Sequence, residues 1–208
     1  MKKILFAIAM LLCTTSLLKA QEEDWSFPVK YNGQRPVISD FVSAIMSQED
    51  IGECLGEMRG NWELYLAGKP LPKDRSIEVD VKNGYVFYEA TYREEGEPVY
   101  RDCIEFCYWN CSDGRQKVVA DNIVCTRDGV PYIGQYSGES FYMYDGKNRR
   151  MVQTSSGDLG IEVPYPDDME WYTVKLPRTG KTIEYKFHTP SGDTLTAYTW
   201  NGSTFFEK

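Results

Sequence analysis

From Ser76 onward, apolar residues recur at every second position, and turn residues interrupt them about every eight to twelve positions. A period of two sends alternate side chains to opposite faces of a strand, so this stretch specifies antiparallel ribbons. The first hairpin can be read in register. Ile77, Val79 and Val81 alternate with Glu78, Asp80 and Lys82, and Asn83-Gly84 reads as a two-residue primed turn. Folding back there sets Val81 opposite Val86, Val79 opposite Tyr88 and Ile77 opposite Ala90, which makes one face wholly apolar. Tyr85 and Phe87 fall on the other face, to be covered by the helical segment or left exposed.

Further strands are expected over 99–109, 118–126, 140–144, 149–153, 170–176, 182–188, 194–200 and 203–207. Upstream, residues 39–67 carry a helical rhythm. Ser39 is placed to cap the first turn, and Ser47-Gln48-Glu49-Asp50 resembles a second cap. Beyond it Ile51, Leu55, Met58, Trp62 and Tyr65 form an apolar stripe. Gly52, Gly56 and Gly60 share another face, read as lying tight on a sheet or as breaking the helix at Gly60 rather than as a groove for a partner helix. The fold class is therefore α+β: an N-terminal helical segment followed by a large antiparallel meander of about ten short strands, closed as a sandwich or barrel. Residues 21–75 form the arm and helical segment and 76–208 the β domain, with a possible sub-boundary at 154–160.

Residues 1–20 have the layout of a secretory leader: Lys2 and Lys3, an apolar run from Ile4 to Leu12, and a small-residue exit at Ala20. Leu12 before Cys13 does not suit lipid attachment, so cleavage after Ala20 is expected, in a leader of bacterial type. Export to a periplasm or the cell exterior follows. No other apolar run approaches the length of a membrane span. Without the leader, roughly 20 basic groups face 31 acidic ones, a net charge of about −11. Such a surface repels nucleic acid and anionic lipid.

Five cysteines remain: Cys54, Cys103, Cys107, Cys111 and Cys125. In an oxidising compartment they are read as disulfide formers, with one left over. If the turn after Trp109 centres near Gly114, Cys103 lies across from Cys125, and that pair is the expected bridge. The spacing lacks paired zinc knuckles and the single His188 is distant, so no metal is expected.

No nucleophile elbow, phosphate-cradling loop, zincin pair or calcium loop is present, and no cofactor is expected. His188 reads as a solvent-facing residue at a strand end. Glu162, Asp167, Asp168 and Glu170, and separately Glu94, Glu95 and Glu97, form acidic clusters that read as solvated turns. Asp193-Thr194-Leu195 is similar to the Asp-Thr-aliphatic acceptor for O-linked glycans in some Gram-negative periplasms. The aromatic load is the remaining signal: 15 Tyr, 9 Phe and 5 Trp, enough for a binding surface as well as a core. Trp109, Tyr144, Trp171 and Trp200 stand at or beside turns and are the candidate ligand-binding residues. The chain reads as an exported, non-enzymatic binding module for a protein or carbohydrate. The alternatives are an inhibitor of an exported hydrolase such as a lysozyme, and a small carboxylate-dependent hydrolase.

Overall fold

The computed structural model describes residues 26–131 and 138–208; residues 1–20, read above as a leader, lie outside them. Twelve strands and two α-helices are found among the described residues, stacked as helices, a first sheet and a second sheet. Helices α1 (Ile38–Met46) and α2 (Glu53–Leu66) cover one face of the first sheet. That sheet contains β1 (Phe27–Pro28), β2 (Arg75–Asp80), β3 (Tyr85–Tyr92), β4 (Tyr100–Asn110), β5 (Lys117–Arg127), β6 (Val130–Pro131), β7 (Gly138–Asp145) and β8 (Arg150–Thr154). Its order is β1-β8-β7-β5-β4-β3-β2, with β6 on the end of β5. The second sheet, β12 (Phe205–Glu207), β11 (Gly192–Trp200), β10 (Thr182–Thr189) and β9 (Trp171–Lys175), covers the opposite face. All pairings are antiparallel, and neither sheet closes on itself, so the barrel alternative does not hold.

The ten expected strands are all present within a few residues, joined by the two-residue pairings β1 and β6. Two expected registers are corrected. In the first hairpin Val79 pairs with Val86 and Ile77 with Tyr88, a slip of two residues that keeps the apolar face but moves Val81 into the turn, where it is 51% exposed. The cause is Asp80, whose carboxylate accepts from the backbone N–H (3.1 Å) and Nδ2 (2.8 Å) of Asn83 and so folds residues 81–84 into a four-residue loop. A two-residue loop with both residues at positive φ occurs instead at Asp128-Gly129 (φ 50° and 81°), between β5 and β6.

The second slip is of one residue. Cys103 pairs with Val124 and Asp102 with Cys125, so Cys103 and Cys125 point to opposite faces and form no bridge. Asp113 sets this register, its Oδ1 accepting from the N–H groups of Arg115 and Gln116 (both 2.9 Å) inside the loop 111–116. All five described cysteines are free thiols.

The helical region is two helices. Asp40, not Ser39, caps α1, its carboxylate accepting from the Val37 N–H at 2.8 Å. Leu55, Met58 and Trp62 are buried on the sheet, and the indole N–H of Trp62 donates to Ser43 Oγ (3.0 Å), tying the helices together. Gly56 and Gly60 face open space within an unbroken α2, so the glycine face neither touches the sheet nor interrupts the helix. Tyr85 and Phe87 are covered by the second sheet rather than by the helices.

A polar bolt joins the two sheets. Glu105 on β4 accepts from Tyr85 Oη (2.7 Å), Asn122 Nδ2 (3.2 Å) and the Leu176 backbone N–H (3.1 Å), while Asn122 Nδ2 also donates to the Val174 carbonyl (2.8 Å). Burial and the adjacent Glu105 push the Tyr85 phenol far above its ordinary value, so it stays a donor. Replacing Glu105 by alanine strands these donors between the layers. We expect Glu105→Ala to cost about 2–4 kcal/mol in urea unfolding, with Tyr85→Phe in the Ala background adding less than it does alone.

Candidate functional site

The candidate aromatic residues do not meet in a groove. Trp109 and Trp200 are buried between the sheets, both against Phe205 at ring-centroid distances of 5.1 and 4.9 Å. Tyr144 is buried on the other face, edge-on to Phe41 beneath α1. Only Trp171 is partly exposed, and it stacks on His188 at 3.2 Å between centroids. His188 is consequently covered rather than solvent-facing, with 15% side-chain exposure and Nδ1 at 2.7 Å from Asp193 Oδ1. The acidic clusters at Glu94, Glu95, Glu97, Glu162, Asp167, Asp168 and Glu170 are exposed. Thr194 and Leu195 lie exposed on β11.

A different arrangement emerges where the loop into α2 crosses the ends of β5 and β7. A pocket of about 270 Å³ opens there, walled by Gly52, Glu53 and Cys54 on one side and by Ile123, Glu139 and Ser140 on the other, with Asp121 also in its lining. Among the described residues, no lysine, arginine or histidine lines it. The carboxyl of Asp121 is 1% exposed, and its Oδ1 has no hydrogen-bond partner. Ser140 and Tyr142 hydroxyls bond the group, yet burial dominates and pushes its pKa up to about 7. Burial likewise raises Glu139, whose Oε1 accepts from Tyr185 Oη at 3.0 Å.

Beside this pocket lies a second polar cluster under α2. Glu57 accepts from Arg75 Nε (2.8 Å) and from the Tyr92 hydroxyl, and Tyr92 Oη also lies 3.2 Å from Asp102 Oδ2. Arg75 sits over the Tyr92 ring at 4.4 Å from its centroid. Asn61 Nδ2 donates to Tyr88 Oη (3.0 Å), and burial raises the Tyr88 phenol to about 12. Cys54 and Cys125 close this cluster on the pocket side, with their sulfurs and an Asp102 carboxylate oxygen all within 4.8 Å of one another.

The signal for Asp121 was present in the chain. Asp121-Asn122 interrupts the apolar run from Val118 to Cys125, and period two puts Asp121 on the face shared by Val119 and Ile123. An ionisable group on a face that must be buried is either paired or held for a ligand.

No protein-family model, no curated protein and no solved structure matches the chain. Among the described residues, no helix is long and apolar enough to cross a membrane.

The raised pKa of Asp121 has a definite sign in stability. Between about pH 4 and 7 the folded state keeps a proton that the unfolded chain has released, so the stability contribution is full near pH 4 and declines until pH 7. Asp121→Asn removes that decline. Urea unfolding should give equal stabilities for variant and wild type near pH 4, and an advantage to the variant of roughly 1–3 kcal/mol at pH 8.

Proposed function

We propose that this chain is an exported, non-enzymatic interaction protein that holds a partner protein by inserting one of its basic side chains into the pocket above Asp121. The observation that carries the reading is the unpartnered Oδ1 of Asp121, fully buried in a pocket with Glu53 at its rim and, among the described residues, no lysine, arginine or histidine in its lining. An ammonium or guanidinium group there supplies the missing donor and relieves the burial of the acid. The volume, about 270 Å³, suits a side-chain head group better than a whole small molecule. A glycan is less well served, because Trp109, Tyr144 and Trp200, which would have made a stacking platform, are buried. The excess of acidic residues steers a basic partner from a distance, with an on-rate that falls as salt rises. An inhibitor of a cationic exported enzyme belongs to this class. The export itself rests on the leader at residues 1–20.

The test titrates the protein with N-acetyl-arginine methylamide, N-acetyl-lysine methylamide and N-acetylglucosamine, following the amide resonances of Gly52, Ser140 and Ile123. The two cationic probes should shift them, and binding should tighten about tenfold from pH 6 to pH 8 as Asp121 ionises. Asp121→Asn should weaken that binding at least tenfold at pH 8. Equal binding by the neutral sugar, or cation binding indifferent to Asp121→Asn, would overturn the proposal.

A further inference from the structure

The structure assigns a second chemistry to the pocket wall: Cys54 and Cys125 are an oxidisable pair that closes to an intramolecular disulfide, with Cys54 as attacking thiol and Cys125 as resolving thiol. This stands independently of the cation reading, since it uses neither Asp121 nor a partner protein.

Three observations carry it. The two sulfurs lie within 4.8 Å of each other although 71 positions separate them in the chain, because α2 is laid across the end of β5. Their surroundings are unequal. Cys54 is half-buried, stands in the first turn of the fourteen-residue helix α2 and lines the open pocket, whereas Cys125 is buried. A helix N-terminus favours a thiolate, so the accessible sulfur is also the better nucleophile. Finally, an Asp102 carboxylate oxygen shares the cluster and accepts from the Cys125 thiol, which keeps Cys125 protonated and leaves Cys54 as the sulfur that attacks first. The pair's own hydrogen bond acts in the same sense, holding the Cys54 thiol below its ordinary value and pushing Cys125 up.

The other described cysteines have no such arrangement. Cys103 and Cys107 face the second sheet, where burial raises Cys103 to about 11 and Cys107 well above its usual value. Cys111 sits in the loop 111–116 at the opposite end of β4.

The step balances with a small-molecule disulfide as oxidant. The Cys54 thiolate attacks one oxidant sulfur, forming a mixed disulfide and expelling the first thiolate, which takes up the proton that Cys54 released. Cys125 then gives its proton to Asp102 and attacks Cys54 Sγ, and the second thiolate leaves carrying that proton. Two protein thiols are oxidised and one disulfide is reduced to two thiols. The product joins α2 to β5 and fixes the pocket wall at Cys54.

The experiment equilibrates the full-length protein with oxidised glutathione, unfolds and alkylates it, and maps tryptic peptides by mass. The expected product is a peptide pair joined through Cys54 and Cys125, with Cys103, Cys107, Cys111 and, where the first twenty residues are retained, Cys13 alkylated. Cys125→Ser should trap glutathione on Cys54, whereas Cys54→Ser should leave Cys125 unmodified in the folded protein. Reduction should lower the thermal midpoint of the oxidised wild type by several degrees and leave Cys54→Ser unmoved. Alkylation of both cysteines, a link through another cysteine, glutathione trapped on Cys125 instead, or a stoichiometric zinc held by the two thiolates would each overturn the proposal.

Discussion

Eleven consecutive residue pairs join β4 to β5, and the middle of that ladder, around Ile104–Cys107 and Val118–Asn122, is covered on both sides. Helices lie on one face and a second sheet on the other, so each side chain in that central stretch must be apolar or hydrogen-bonded within the protein. Val118, Val119, Ala120, Ile104 and Phe106 meet the demand by being oily. Glu105 meets it by gathering donors from Tyr85, Asn122 and the Leu176 backbone, and Asn122 through its amide N–H bonds alone, its Oδ1 being buried without a partner. Asp121 meets it only in part. A carboxyl held dry with a spare lone pair is expensive, and that expense is what marks the pocket beside it as more than a packing fault.

Much of the architecture could be read from residue order. Alternation located all ten principal strands, because each must present one face to a core. It did not reveal that both faces of the first sheet are covered, since Tyr85, Phe87, Cys107 and Trp109 look the same whether a helix or a sheet lies over them. Turns were the weak point. Asn83-Gly84 has the composition of a tight primed loop, but the Asp80 side chain competes for Asn83 and wins a wider one. Asp113 does the same at the next hairpin, with larger consequences, because an odd-numbered slip reverses the facing of every residue beyond it. The bridge expected between Cys103 and Cys125 failed for that reason, and Cys125 was brought instead under α2.

The site was less legible than the fold. Large aromatics beside turns suggested an exposed platform, yet a strand-rich core with two internal faces consumes such residues: Trp109, Tyr144 and Trp200 are buried in it. What the chain did advertise was a single acidic residue out of place in an apolar run. A buried charge is rarer than an exposed ring, and so the more informative departure from pattern.

The first strand of the chain completes its sheet last. Phe27 pairs with Met151, and Arg150 grips Ser26 from 124 positions away, so the outer edge of the first sheet cannot be zipped up until most of the polypeptide has been made. A chain threaded out N-terminus first therefore presents the greasy sides of α1 and α2 to solvent well before their cover arrives. Short loops close the hairpins β2–β3 and β4–β5, so contact order favours assembly from these locally wired pairs over assembly from either terminus.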